Sequence, residues 1–72
     1  MSIIVNMVET SKEEYREAGK SLYEAGVREA KSARTEADVL FTRIYLDLSE
    51  TCAERAEDAQ TAQMARVLRG SM

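Results

Sequence analysis

Three features of this 72-residue sequence predict an all-α fold. Proline is absent throughout, so no residue strips a donor from a helical hydrogen-bond ladder. The chain is rich in Ala, Glu and Arg, all strong helix formers. Apolar and small residues recur three and four positions apart from Tyr15 onward, the period of a helix face. The expected architecture is a single domain over 1–72. It consists of an extended arm or short strand at 1–9 and a hairpin of two antiparallel helices near 11–32 and 35–69.

The arm is predicted from Ser2–Val8, which is β-branched and apolar, unlike the rest of the chain. A helix start comes next: Thr10 with Glu13, or Ser11 with Glu14, forms a capping box, and Glu13, Glu14 and Glu17 suit the positive end of the helix dipole. Tyr15, Ala18, Gly19, Leu22, Gly26, Ala30 and Ala33 then share one face. Most are small, and small residues let a neighbouring helix come close. The opposite face carries Lys20, Glu24 and Arg28 at supportive four-residue spacing.

A break is expected at Ser32–Thr35, because Thr35 with Asp38 caps a new N-terminus. Gly26 competes as a terminator, and one unbroken helix of roughly 85 Å is the rival geometry. No heptad of large residues runs the whole length, which favours the hairpin. In the second segment Leu40, Ile44 and Leu48 define a stripe, while Val39 and Leu46 lie well round the cylinder from it. Apolar groups on two sides imply burial on two sides: one by the first helix, the other by a second chain. The pattern thins after Cys52 into Ala53, Ala56, Ala59, Ala62, Met64, Ala65, Val67 and Leu68. Arg66 and Arg69 suit the helix C-terminus, and Gly70 supplies the stop.

Size argues for the second chain. A fold this short buries little of its surface and usually needs disulfides, a metal or a partner. Cys52 is the single cysteine and there is no histidine, so neither an internal disulfide nor a tetrahedral zinc site is expected. The chain is therefore expected to pair with itself as a homodimeric four-helix arrangement, with Leu22, Leu40, Ile44, Leu48 and Cys52 in the core or dimer seam.

The functional classes narrow by elimination. Catalysis is not expected, since no phosphate loop or Ser/His/Asp set occurs, and Cys52 reads as a small apolar residue. No cofactor is implied. Asp47, Glu50, Glu54, Glu57 and Asp58 lack the Glu-x-x-His element of di-metal bundles and read as a solvated face. Arg28, Lys31 and Arg34 wind around a helix end instead of forming one basic patch. With 13 acidic against 10 basic side chains, the net charge of −3 disfavours phosphate binding. A short strand followed by two helices is similar in layout to ribbon-helix-helix repressors, which would imply DNA binding. Strands of that family present polar and basic side chains, whereas Ser2–Val8 has Ser2 and Asn6 and no charge. No apolar run exceeds three residues, so no membrane span or export signal is expected, and a lone thiol suits a reducing cytoplasm.

What remains is a non-catalytic module for protein interaction, an inhibitor, anti-activator or adaptor that occludes a larger protein. A structural subunit or chaperone of a larger assembly ranks second and a nucleic-acid-binding regulator third. Tyr23, Phe41 and Tyr45 are the candidate anchors, with Arg43 beside them, because tyrosine and arginine combine area with polar tips. Met64 and Leu68 join them as an apolar pair on a second helix expected to outrun the first.

Overall fold

The structure, a computed structural model, describes residues 11–72, so the expected N-terminal arm lies outside the described residues. Three helices succeed one another: α1 over Lys12–Ser32, α2 over Glu36–Arg55 and α3 over Ala59–Gly70. Among the described residues there is no strand. The fold is all-α.

Each helix begins where side chains satisfy the free backbone donors of its first turn. Of the two caps considered for α1, Ser11 with Glu14 is formed: the Ser11 hydroxyl oxygen accepts from the Glu14 N–H at 3.2 Å. Thr35 caps α2 with a complete capping box, its hydroxyl accepting from the Asp38 N–H at 3.2 Å while the Asp38 carboxylate accepts from the Thr35 N–H at 3.3 Å. The hairpin thus turns at the predicted place.

The second expected helix, 35–69, is not continuous. It divides at Ala56–Asp58 because Glu57 adopts a left-handed backbone with φ 56°. The Asp58 N–H then reaches back to the Ala53 carbonyl at 2.8 Å, and the Glu57 N–H to the Glu54 carbonyl at 3.0 Å. These two bonds make a Schellman ending, a position normally given to glycine. Two features help glutamate hold it: the Glu57 carboxylate pairs with Lys12 at the start of α1, and Asp58 at once caps α3. Asp58 accepts from the Thr61 N–H at 3.2 Å and from the Thr61 hydroxyl at 2.6 Å.

Residue size governs the packing. α1 and α2 run antiparallel in close contact, because Gly19 lies on the Ser49–Ala53 backbone and Gly26 lies under Leu46. A methyl group added at Gly19 would sit 3.2 Å from the Ala53 nitrogen. The Ser49 hydroxyl donates to the Gly19 carbonyl at 2.6 Å across this buried seam. α3 folds back along α2 through Ala62 and Ala65, both buried. The resulting bundle measures 47 × 22 × 14 Å between Cα extremes. Its fully buried side chains are mostly Ala, Ser and Thr, and Leu46 is the largest of them.

Candidate interaction surfaces

The two faces of α2 divide its residues in an unusual way. Thr42, Leu46, Ser49 and Ala53 point inward and are fully buried. Leu40, Phe41, Ile44, Tyr45 and Leu48 point outward, with Leu40 58% and Phe41 55% exposed. At about 100° per residue the outward set occupies a band of roughly 140°, centred on the side opposite the buried one. The small and polar side chains are therefore inside and most of the large apolar ones outside. Five large apolar residues within three turns form one patch, and scattered exposure does not produce such a band.

This arrangement fixes where several expected residues lie. Leu40, Ile44 and Leu48 are exposed in the chain, while Leu22 on α1 and Cys52 at the margin of the band are half-buried. Leu46, which lies across the helix from that stripe, is the residue that fills the core between α1 and α2. Arg43 is exposed on the rim of the band, and among the described residues it has no ion pair.

Tyr23 is not brought beside Phe41 and Tyr45. It lines a shallow groove between α1 and α3 with Lys20, Glu24, Gln60, Thr61 and Met64. The expected overhang bearing Met64 and Leu68 does not exist either. The break at Glu57 turns that segment back as α3, so Met64 is 39% exposed at the α1–α3 groove and Leu68 is half-buried. Val67, exposed at the outer side of α3, was not among the expected residues, since a thinning alanine pattern gives no cue to which side faces out.

The acidic stripe also departs from the solvated face expected of it. Glu50 is buried. Its Oε2 accepts from Arg66 Nε at 2.9 Å, and Arg69 Nη1 stands 2.8 Å from its Oε1. That second contact is an ion pair without hydrogen-bond alignment. Asp47 accepts from Arg69 at 2.5 Å and Glu54 from Arg66 at 3.4 Å. Arg66 and Arg69 thus bridge α3 to α2. Folding α3 back converts the stripe into a polar seam.

Three carboxyl groups titrate below their usual range, each for a structural reason. Asp38 is held down chiefly by the Arg34 backbone N–H, then by Thr35. Glu57 is lowered by the hydrogen bond and charge of Lys12. Asp58 is lowered by its hydrogen bonds from Thr61, with smaller help from Lys20 and Arg16. All three stand at helix caps or at the α2–α3 link, where a carboxylate accepts backbone or ammonium protons. Among the described residues, no group of three or more His, Cys, Asp or Glu is placed to hold a metal ion. No described helix is long and apolar enough to cross a membrane.

Among the described residues these features define a small antiparallel array of three helices with an apolar outward helix face. Compared with known protein families, curated proteins and solved structures, the chain matches none.

Proposed function

We propose that this chain is a non-catalytic, homodimeric helical interaction module that binds a larger protein and occludes a site on it. The observation that carries the reading is the outward band of α2. Among the described residues the fully buried interior is mostly Ala, Ser and Thr with Leu46, while five large apolar side chains of α2 point outward, and such a face gains further apolar burial through association. The two patches divide the work. The α2 band is the broader and more apolar, suited to a permanent contact. The Tyr23–Met64 groove between α1 and α3 is smaller and mixed, flanked by Lys20 and Glu24, and suits an exchangeable protein partner.

The test is capture of the target by tagged wild-type chain and by a Tyr23→Ala/Met64→Ala double variant, each with and without nuclease. The expected result is one protein in stoichiometric amount with wild type, indifferent to nuclease. The double variant should lose it while keeping the same helicity and oligomeric state. A broad set of proteins that disappears with nuclease would overturn the reading in favour of nucleic-acid binding.

A further inference from the structure

From the charge pattern around the outward band, we infer that α2 pairs with α2 of a second copy in antiparallel orientation, about a two-fold axis near Ile44. This rests on the homodimer reading above and adds the seam and its direction. A two-fold interface must be self-complementary, so each residue on one side needs a suitable residue at the symmetry-related position. Rotation about an axis at Ile44 sets Leu40 of one copy beside Leu48 of the other and Ile44 against its own equivalent. Phe41 and Tyr45 fall within one turn of each other across the axis. All five outward residues are then covered.

Charge selects the direction. Glu36, Arg43, Asp47 and Glu54 lie on one rim of the band, within about 40° of each other around the helix. In an antiparallel pair each rim faces the same rim of the other copy; in a parallel pair it faces the opposite one. Only the antiparallel arrangement brings Arg43, which lacks an ion pair among the described residues, within a turn of Asp47 on the facing rim of the second copy. The two Arg43 side chains also come within a turn of each other, flanked by the two Asp47 carboxylates, so the cluster holds two charges of each sign. The Asp47 carboxylate, 69% exposed, already accepts Arg69 and has room for a second guanidinium. The same alignment brings Glu36, at the start of α2, to the level of Arg55 of the other copy. That guanidinium donates to the Tyr15 hydroxyl of its own chain at 3.3 Å and so adds no pair across the seam. Glu54 reaches that level too, but its carboxylate is turned to Arg66 of its own chain. Opposite charges across a seam fix register and orientation more than they add affinity.

The test uses the full chain in a Cys52→Ala background. Leu40→Cys and Leu48→Cys chains are mixed, oxidised in a glutathione buffer and resolved by mass, while sedimentation reports the oligomeric state. The mixed 40–48 disulfide should dominate over both self-linked products. Arg43→Glu should weaken dimerisation by about tenfold, and Asp47→Arg introduced with it should recover most of the loss. Dominant 40–40 and 48–48 products from a dimeric protein would overturn the antiparallel seam and leave the homodimer reading standing. A wild-type chain that sediments as a monomer would overturn both. A dimer that Ile44→Glu leaves intact, with helicity unchanged, would place the seam elsewhere and overturn the inference.

Discussion

The inward and outward faces of α2 belong to one helix and one stretch of sequence, yet they obey opposite rules. Inward, Thr42, Ser49 and Ala53 meet Gly19 and Gly26, and close backbone approach takes the place of bulk. Outward, Leu40, Phe41, Ile44, Tyr45 and Leu48 carry bulk that their own chain covers only in part, Tyr45 most and Leu40 least. The inner seam works by shape, where one added methyl is felt. The outer face offers apolar area that only association would bury. The fold of one chain and the assembly of two should therefore respond to different substitutions.

The largest effect should come from Leu46→Ala, which empties the one large, fully buried aliphatic site among the described residues. A loss of about 3 kcal/mol is expected in urea unfolding at fixed protein concentration. Leu48→Ala, the same chemical change two residues away on the exposed face, should leave the helicity of the isolated chain unaltered and weaken only the concentration-dependent part of its stability. Equal losses from the two substitutions would erase the distinction between the faces.

Next in size is the polar seam of α3. Glu50→Ala removes the buried acceptor shared by Arg66 and Arg69, but both guanidinium groups are partly exposed and recover water. A loss of about 1–2 kcal/mol is expected, below the cost of stranding a buried charge. Amide hydrogen exchange should show it in α3 before α1 or α2. A uniform acceleration across all three helices would mean that α3 is not a separately docked element.

Gly26→Ala sets a gain against a loss. Alanine is favoured over glycine within a helix by about 1 kcal/mol. Its methyl group, however, would lie 2.7 Å from Leu46 Cδ2 and 3.0 Å from Leu46 Cγ, and Leu46 is fully buried with little freedom to turn away. A net loss of about 1 kcal/mol is expected. A rise in Tm would show that the α1–α2 seam has slack.

The smallest effect concerns acid. Asp38, Glu57 and Asp58 have folded-state pKa values depressed below their unfolded ones. Their contribution is therefore present at neutral pH and is lost as pH falls below the ordinary carboxylate range of about 4 and through the lower folded values. A circular-dichroism titration should show the helix ends weakening on acidification, and Asp58→Asn should flatten that response at α3. A profile unchanged down to strongly acidic pH would contradict these caps.

Much of this contrast is legible in the sequence, and the remainder is not for identifiable reasons. Thr35 and Asp38 announce the hairpin turn because a capping box is local chemistry. The apolar groups on two sides of α2 announce two apolar faces, since helical period alone places them, and the structure buries one of the two. The break at Glu57 is hidden because glutamate stands where glycine would mark a left-handed residue; Asp58 three positions before Thr61 is the one cue, an N-cap residue within a run of helix formers. That hidden turn propagates. It directs Met64 towards Tyr23, brings Arg66 and Arg69 onto Glu50 and removes the overhang a straight helix would have had. Which side of α2 faces its own chain depends on where the glycines of α1 dock, and helical spacing does not encode that choice.

The most direct test is sedimentation equilibrium of the wild-type chain and of Ile44→Glu over a wide concentration range. Wild type is expected at twice the chain mass and Ile44→Glu at the single-chain mass with an unchanged helical spectrum, because Ile44 lies on the exposed face of α2, away from the seam with Gly19 and Gly26. Wild type at the single-chain mass throughout, or a variant that loses its helicity together with its partner, would contradict the division of α2 into a folding face and an assembly face.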